Sequence, residues 1–406
     1  MDALFLHPNF PGQFKHLAAA LARESGARVW GLGDETQAIP ARAPAGVRLL
    51  HYPGLPAAAE ATHPLARYFD QAVRRGEQVV QTLAQHKRQG FEPDVIVAHP
   101  GWGDAFFVRD FFPGAKVVGL FEYYYRTHGA DVGFDPEFPA RFGDAFRLHA
   151  NNATQLLALE SCDVAICPTA WQKSRFPAAY QSHLQVLHEG VDTQALAPDP
   201  QAHLILPDGT RLQRGDEVLT YASRNLEPYR GFHVLMRALP ALLAARPGCR
   251  VVIAGADGVS YGAPPRGGGT WKEQLLREIG PSLDTSRIHF TGPLPFDQYL
   301  RLLQVSRAHV YLTYPFILSW SLLEAMSVGC TLIASATAPV QEVLHDGANA
   351  RLFAFSDAAA LAQLAAQALA HPAAHAHLGQ AARATARQQF DFETVSWPAW
   401  RALLEP

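Results

Sequence analysis

The chain has 406 residues, 48% of them apolar and 17% charged, with a formal net charge of -3. A single hydrophobic core stops growing at roughly 250–300 residues, so this length predicts two domains of roughly 200 residues each. The charge balance excludes a strong basic footprint for nucleic acid, and no segment reads as a membrane span.

The first stretch, "MDALFLHPNFPGQF", holds an apolar run of strand length with no basic region before it and no small-residue cleavage site after it, which reads as mature structure in the cytoplasm. Peripheral association with the inner face of a membrane is left open by composition. Apolar runs then alternate with helical patterns: "RVWGLG", "VRLLHY", "DVIVAHP", "KVVGLF" and "DVAICP", followed after residue 200 by "EVLTYA", "RVVIAG", "RIHFTG", "HVYLTYP", "TLIAS" and "RLFAF". Continuous rather than alternating apolar runs predict strands covered on both faces, as in parallel sheets. The expected fold class is therefore α/β, with two doubly wound Rossmann-like domains. The Pro-rich "EGVDTQALAPDPQ" marks the break, giving an N-terminal domain over 1–195 and a C-terminal domain over 196–388. Pro207-Asp208-Gly209 predicts a small hairpin ahead of the second sheet. The last segment, 389–406, carries Phe390, Phe392, Trp397 and Trp400 on a short helical piece that must dock on something apolar. Cys162, Cys167, Cys249 and Cys330 lie at strand edges without metal or disulfide spacing and read as buried or inert thiols.

Three stretches carry chemistry. "YASRNLEPYRGF" (221–232) plants Arg224 at a strand end and Arg230 at the start of a helix, where ligands sit in doubly wound folds. Two guanidinium groups there either bind a diphosphate or are solvated surface charges. Gly12 opens the first helix after the first strand, where the missing side chain would let a phosphate reach the backbone or simply serve a turn. Glu324 is a lone carboxylate in the apolar "SWSLLEAMSVG"; a buried acid needs a partner, which ribose hydroxyls or an internal contact would provide.

The ordered set Gly12, "DVIVAHPGW", "HEGVDT", "SRNLEPYRGF", "SWSLLEAMSVG" and "APVQEVLHDGANARL" resembles the retaining glycosyltransferases of family 4, which have two Rossmann-like domains facing across a cleft, the GT-B architecture. The resemblance implies that Arg224 and Arg230 bind and stabilise the departing diphosphate of a nucleotide-sugar donor, and that Gly12 approaches its phosphate. It implies that Glu324 holds the ribose and that the backbone near Leu294 recognises the base. His99, at the end of "DVIVAH", would stand beside the reacting sugar, and 389–406 would pack back on the N-terminal domain. One departure matters: the family's first glutamate of an E-x7-E motif falls at Phe316. Ser319, Trp320, Ser321 and Leu322 are then expected to supply donor contacts.

No D-x-D motif occurs, in keeping with a metal-independent reaction that needs no cofactor beyond the nucleotide-sugar substrate. By resemblance, attack is front-face. The aromatic and acidic "FEYYYRTHGADVGFDPEF" (121–138) is the expected acceptor surface for a glycan, lipid-linked or protein acceptor, with Glu122, Tyr124 and Arg126 as its contacts; the tyrosines could equally cover a sheet edge. Two other classes share the architecture: a nucleotide-sugar epimerase, and a non-catalytic nucleotide-binding scaffold, which the missing glutamate would suit.

Overall fold

The computed structural model describes residues 1–37, 44–55 and 61–405. The chain divides into two compact units, the first formed by Met1–Gly133, Phe138–Gly190 and Phe392–Pro406, the second by Phe134–Glu137 and Val191–Asp391.

The first unit is built on seven parallel strands: β1 (Asp2–Leu6), β2 (Arg28–Asp34), β3 (Val47–Tyr52), β4 (Val95–Ala98), β5 (Lys116–Leu120), β6 (Val164–Cys167) and β7 (Leu184–Val186). Their order is β3-β2-β1-β4-β5-β6-β7, with the reversal between β1 and β4 that creates a switch point at the strand ends. Successive residues of β1 point to opposite faces, and both faces are buried. Ala3 and Phe5 pack with Leu17, Phe392, Trp400 and Leu404, while Leu4 and Leu6 pack with Val79, Leu83 and Val108. That two-sided burial is why the strands read as unbroken apolar runs. The C-terminal helix Trp397–Leu403 is held through the fully buried Trp400, whose Nε1 donates to the His188 carbonyl at 3.1 Å, and through Arg401 against Glu24 at 2.7 Å.

The second unit opens with an antiparallel hairpin, β8 (His203–Ile205) and β9 (Arg211–Gln213), turned at Gly209 with φ 85° as the Pro-Asp-Gly sequence requires. A six-stranded parallel sheet follows: β10 (Val218–Asn225), β11 (Arg250–Ala256), β12 (Ile288–Gly292), β13 (Ala308–Tyr311), β14 (Leu332–Ser335) and β15 (Arg351–Phe353), ordered β12-β11-β10-β13-β14-β15. Leu204, Leu206 and Leu212 of the hairpin close one face against Val252, Ala254 and Leu302. On the other side of the strand series, Tyr311, Leu332 and Ala334 pack with the helix Trp320–Val328 and with Ala382, Ala386 and Phe390.

The unit boundaries differ from the expected 195/196 and 388/389. Val191 donates to the Phe390 carbonyl at 2.8 Å and Thr193 Oγ1 to Asp391 at 2.5 Å, so 191–195 and 389–391 both belong to the second unit. Phe390 and Phe392, expected together, therefore enter different cores. The excursion Phe134–Glu137 was not anticipated at all. Its Phe134 ring packs against Tyr314 and Phe355, each at 5.4 Å, and Asp135 accepts from the Tyr314 hydroxyl at 2.9 Å. Among the described residues the cysteines are free thiols, three of them buried, and all four are pushed up to about 12 by burial. No helix of the described residues is long and apolar enough to cross a membrane.

Candidate functional site

The switch point of the second sheet carries a cavity of about 360 Å³. Strand β10 runs to Asn225, which puts Arg224 at its carboxyl end, exposed and on the cavity wall. A single tight turn, Pro228–Arg230, then leads through Gly231 into the helix Phe232–Ala245. Gly231 has φ 67°, and a Cβ there would lie 2.3 Å from that of Leu312, so the close approach of these two segments depends on glycine.

This geometry carries Arg230 inside. Its guanidinium is buried, donates from Nη1 to Thr313 Oγ1 at 2.7 Å, and lies 5.2 Å from the centre of the Tyr261 ring. Among the described residues no carboxylate pairs with it. Burial works against its charge, but the surrounding Tyr311 and Tyr261 keep the group fully protonated. A buried cation without a counter-charge is costly, and an anionic ligand is the natural partner.

The remaining walls add a carboxylate, a helix N-terminus and an apolar side chain. Glu324 lies on the cavity wall in the helix Trp320–Val328, buried, and its Oε2 accepts from the Tyr299 hydroxyl at 2.9 Å. Ser319 is the N-cap of that helix, accepting from the Ser321 N–H at 3.3 Å, and both serines face the cavity near the positive end of the helix dipole. Leu294 also forms part of the wall. Two expected donor contacts are placed elsewhere: Leu322 is fully buried in the core, and Trp320 is half-buried off the cavity wall. A helix that presents Ser321 and Glu324 to one side necessarily turns residue 322 to another. Phe316, where a glutamate was expected, packs at 4.9 Å on Tyr261 and 5.4 Å on Tyr229, an apolar replacement for an acid.

In the first unit His99 follows β4 and is buried. Its Nε2 lies 3.0 Å from Glu122 Oε2, and Gln13 Nε2 donates to Glu122 Oε1 at 2.6 Å. Burial alone would lower the imidazole pKa, but the adjacent carboxylate prevails and raises it; the Glu122 carboxyl, though desolvated, is held below its usual range by His99. Gly12 has φ 48°, and a Cβ there would meet the His7 ring at 2.6 Å, so its lack of a side chain is explained by packing against His7 as well as by conformation.

The stretch 121–138 is used mostly internally. Tyr124 belongs to the core with Phe121 and Phe176, Arg126 stacks on its ring at 5.1 Å, and the Tyr123 hydroxyl donates to Asp131 at 2.7 Å. Glu122 is engaged with His99 and Gln13. The stretch follows β5, an inner strand of the sheet, so the tyrosines do not lie along a sheet edge, and Tyr123 and Tyr124 are buried in the first unit.

The wall residues missed by sequence reasoning include Glu227, Tyr261 and Tyr299. Glu227 lies inside the quoted arginine stretch, where an acid reads as a counter-charge. Tyr299 is hidden in the amphipathic helix Phe296–Val305, and Tyr261 in a loop rich in Gly and Pro. A further acidic cluster, Asp135, Glu137 and His233, has its ligand-type atoms within 4.8 Å of one another, but Asp135 is balanced by His233 at 2.9 Å and Glu137 by Arg237 at 2.6 Å.

Comparison with known proteins bears on this arrangement. A model described as glycosyl transferase family 4 group matches residues 25–196, and one described as glycosyl transferases group 1 matches residues 209–385. A GDP-mannose-dependent alpha-(1-6)-phosphatidylinositol monomannoside mannosyltransferase of Mycolicibacterium smegmatis is 26% identical over 298 residues, covering 70% of each chain. Among solved structures, Anabaena HepE in complex with UDP and glucose aligns over 99% of both chains with a TM-score of 0.68 and 16% identity. Sucrose-phosphate synthase of Thermosynechococcus elongatus aligns over 99% of this chain and 98% of its own, with a TM-score of 0.68 and 17% identity. At such identities the structural likeness shows the fold alone.

Proposed function

From a chain that belongs to family 4 of the glycosyltransferases and has their GT-B fold, we propose a retaining transfer of a sugar from a nucleoside diphosphate donor to a glycan, lipid-linked or protein acceptor, without a metal. The observation that carries the donor half is the buried Arg230 guanidinium, which has no carboxylate partner among the described residues and shares its cavity with Arg224 and Glu324. Two cations and the N-terminus of the helix Trp320–Val328 match a diphosphate, Glu324 matches a ribose diol, and the wall at Leu294 matches a base.

Each part has a chemical task. As the bond from the anomeric carbon to the diphosphate oxygen breaks, negative charge grows on the leaving group, and Arg224 and Arg230 stabilise it more than they stabilise the intact donor. The acceptor hydroxyl attacks the same face, forming the new glycosidic bond, and its proton passes to the departing phosphate oxygen. His99 is assigned to the sugar by its family position. Its pairing with Glu122 favours the imidazolium, a donor toward a sugar hydroxyl. The mycobacterial relative depends on GDP-mannose and HepE is a complex with UDP, which makes guanine and uracil the two candidate bases.

The test is to incubate the protein with a panel of UDP- and GDP-sugars in the presence of a chelator and follow the anomeric proton by NMR. The expected result is loss of one donor with its anomeric configuration kept in the product and no effect of chelation. Inversion, or a donor changed in configuration with nothing transferred or hydrolysed, overturns the reading; the second outcome would favour the epimerase.

A further inference from the structure

Glu227 is fully buried on the cavity wall, three residues before Arg230, yet among the described residues it forms no ion pair with that arginine. Its carboxylate instead faces three consecutive backbone N–H groups in the loop after β11. Ser260 N donates to Oε1 at 2.9 Å, Gly262 N to Oε2 at 2.9 Å, and Tyr261 N lies 3.4 and 3.3 Å from the two oxygens. Successive N–H groups converging on one anion form a strong anchor, here filled by a side chain of the protein itself. Gly262 permits the approach, since a Cβ there would come within 3.2 Å of Glu227 Oε2.

The anchored turn presents Tyr261. The residue is 40% exposed and lines the cavity; its ring lies under the Arg230 guanidinium at 5.2 Å and is backed by Phe316 at 4.9 Å and Tyr229 at 5.8 Å. An aromatic face orients a guanidinium and excludes water from it without cancelling its charge, as an acid would. Phe316 belongs to this support, which gives the replacement of an acid by an aromatic ring a physical role.

We propose that Glu227 is a positioning residue for anion binding: by clamping the 260–262 turn it fixes Tyr261 beneath Arg230, so that the cation stays oriented, desolvated and free for a diphosphate. This rests on the donor reading given above. Glu227 and Tyr261 then act as one device.

The two ways Glu227 could act have opposite signs. Removing a negative charge beside an anion site tightens anion binding if only charge matters, whereas loss of the clamp weakens it. The experiment is calorimetric titration of the full chain with UDP, GDP and inorganic pyrophosphate, using wild type, Glu227→Gln, Tyr261→Ala and the double variant, with melting temperatures recorded in parallel. The expected result is a loss of about tenfold in affinity for each single variant and a double variant within about threefold of the weaker single, the non-additivity of groups acting as a unit. Unchanged or tighter binding by Glu227→Gln, or fully additive losses, overturns the inference. Should Glu227→Gln fail to fold, the partly exposed Tyr261→Ala decides alone, and unchanged affinity there overturns it equally. Wild type binding none of the three anions would overturn the donor reading and this inference with it, whereas binding that survives both substitutions overturns the inference only.

Discussion

Glu122→Gln should destabilise the protein in a pH-dependent way, because the pair it breaks is buried and ionic. His99 Nε2 and Glu122 Oε2 are 3.0 Å apart, His99 is 5% exposed and the Glu122 side chain 17%. At an effective dielectric of about 20 the Coulomb attraction at that distance is about 5 kcal/mol, much of it offset by desolvation of both groups. Removing one partner of a buried pair costs about 3–5 kcal/mol, and the partial exposure of Glu122 places this case at the lower end, about 3 kcal/mol. Gln13 keeps an oxygen to donate to in the variant, so the loss is that of the charge.

The pH window follows from the two shifts. His99 is raised above its ordinary value of about 6.5, so its contribution is complete below that pH and disappears as pH rises through the folded-state value. Glu122 is lowered from about 4.3, so its contribution is complete above that pH and is lost as pH falls through its folded-state value. The pair therefore stabilises most at about pH 5–6. Urea unfolding of wild type and Glu122→Gln at acidic, neutral and alkaline pH should show the largest difference near pH 5.5, shrinking to about 1 kcal/mol once His99 is neutral. A difference that is constant with pH, or that grows toward alkaline pH, would refute an ionic pair at this position.

Leu322→Ala should cost about 2–5 kcal/mol of stability as a core cavity while leaving nucleotide affinity of the folded protein unchanged, which calorimetry and urea melts together would check. Gly231→Ala should lose about 2–4 kcal/mol, since it combines a positive φ with a Cβ 2.3 Å from Leu312, and a normal melting temperature would contradict this. Tyr299→Phe removes the hydroxyl that donates to the buried Glu324, at a cost of about 1–2 kcal/mol, and any donor using Glu324 should bind more weakly to that variant.

The strands were legible because two-sided burial leaves a continuous apolar run, and all twelve runs named in the sequence became strands. The thirteenth parallel strand, β7, escaped because three residues, two of them exposed at a sheet edge, carry no such run. The excursion Phe134–Glu137 is likewise silent in sequence, since its contacts with Tyr314, Phe355 and His233 join residues far apart in the chain. At the site, positions tied to strand ends and helix starts were readable: Arg224, Arg230, Ser319 and Glu324 all reach the cavity wall. What could not be read was the partner each side chain takes. Glu227, three residues before Arg230, has the charge of a counter-ion, yet backbone N–H groups 33–35 residues away claim it. Tyr124 and Arg126 carry sugar-binding chemistry by residue type, and their stacking on each other inside the first unit leaves no mark in the sequence.

The most direct test of the account is a calorimetric titration of UDP, GDP and ADP, in chelator, against wild type and Arg230→Met. The account predicts that one nucleoside diphosphate binds wild type and that the substitution weakens it by about 10- to 100-fold, the worth of a charge-assisted hydrogen bond of about 1.5–3 kcal/mol. Equal affinity in the two proteins, or no binding to wild type, would contradict the assignment of this cavity to a donor diphosphate.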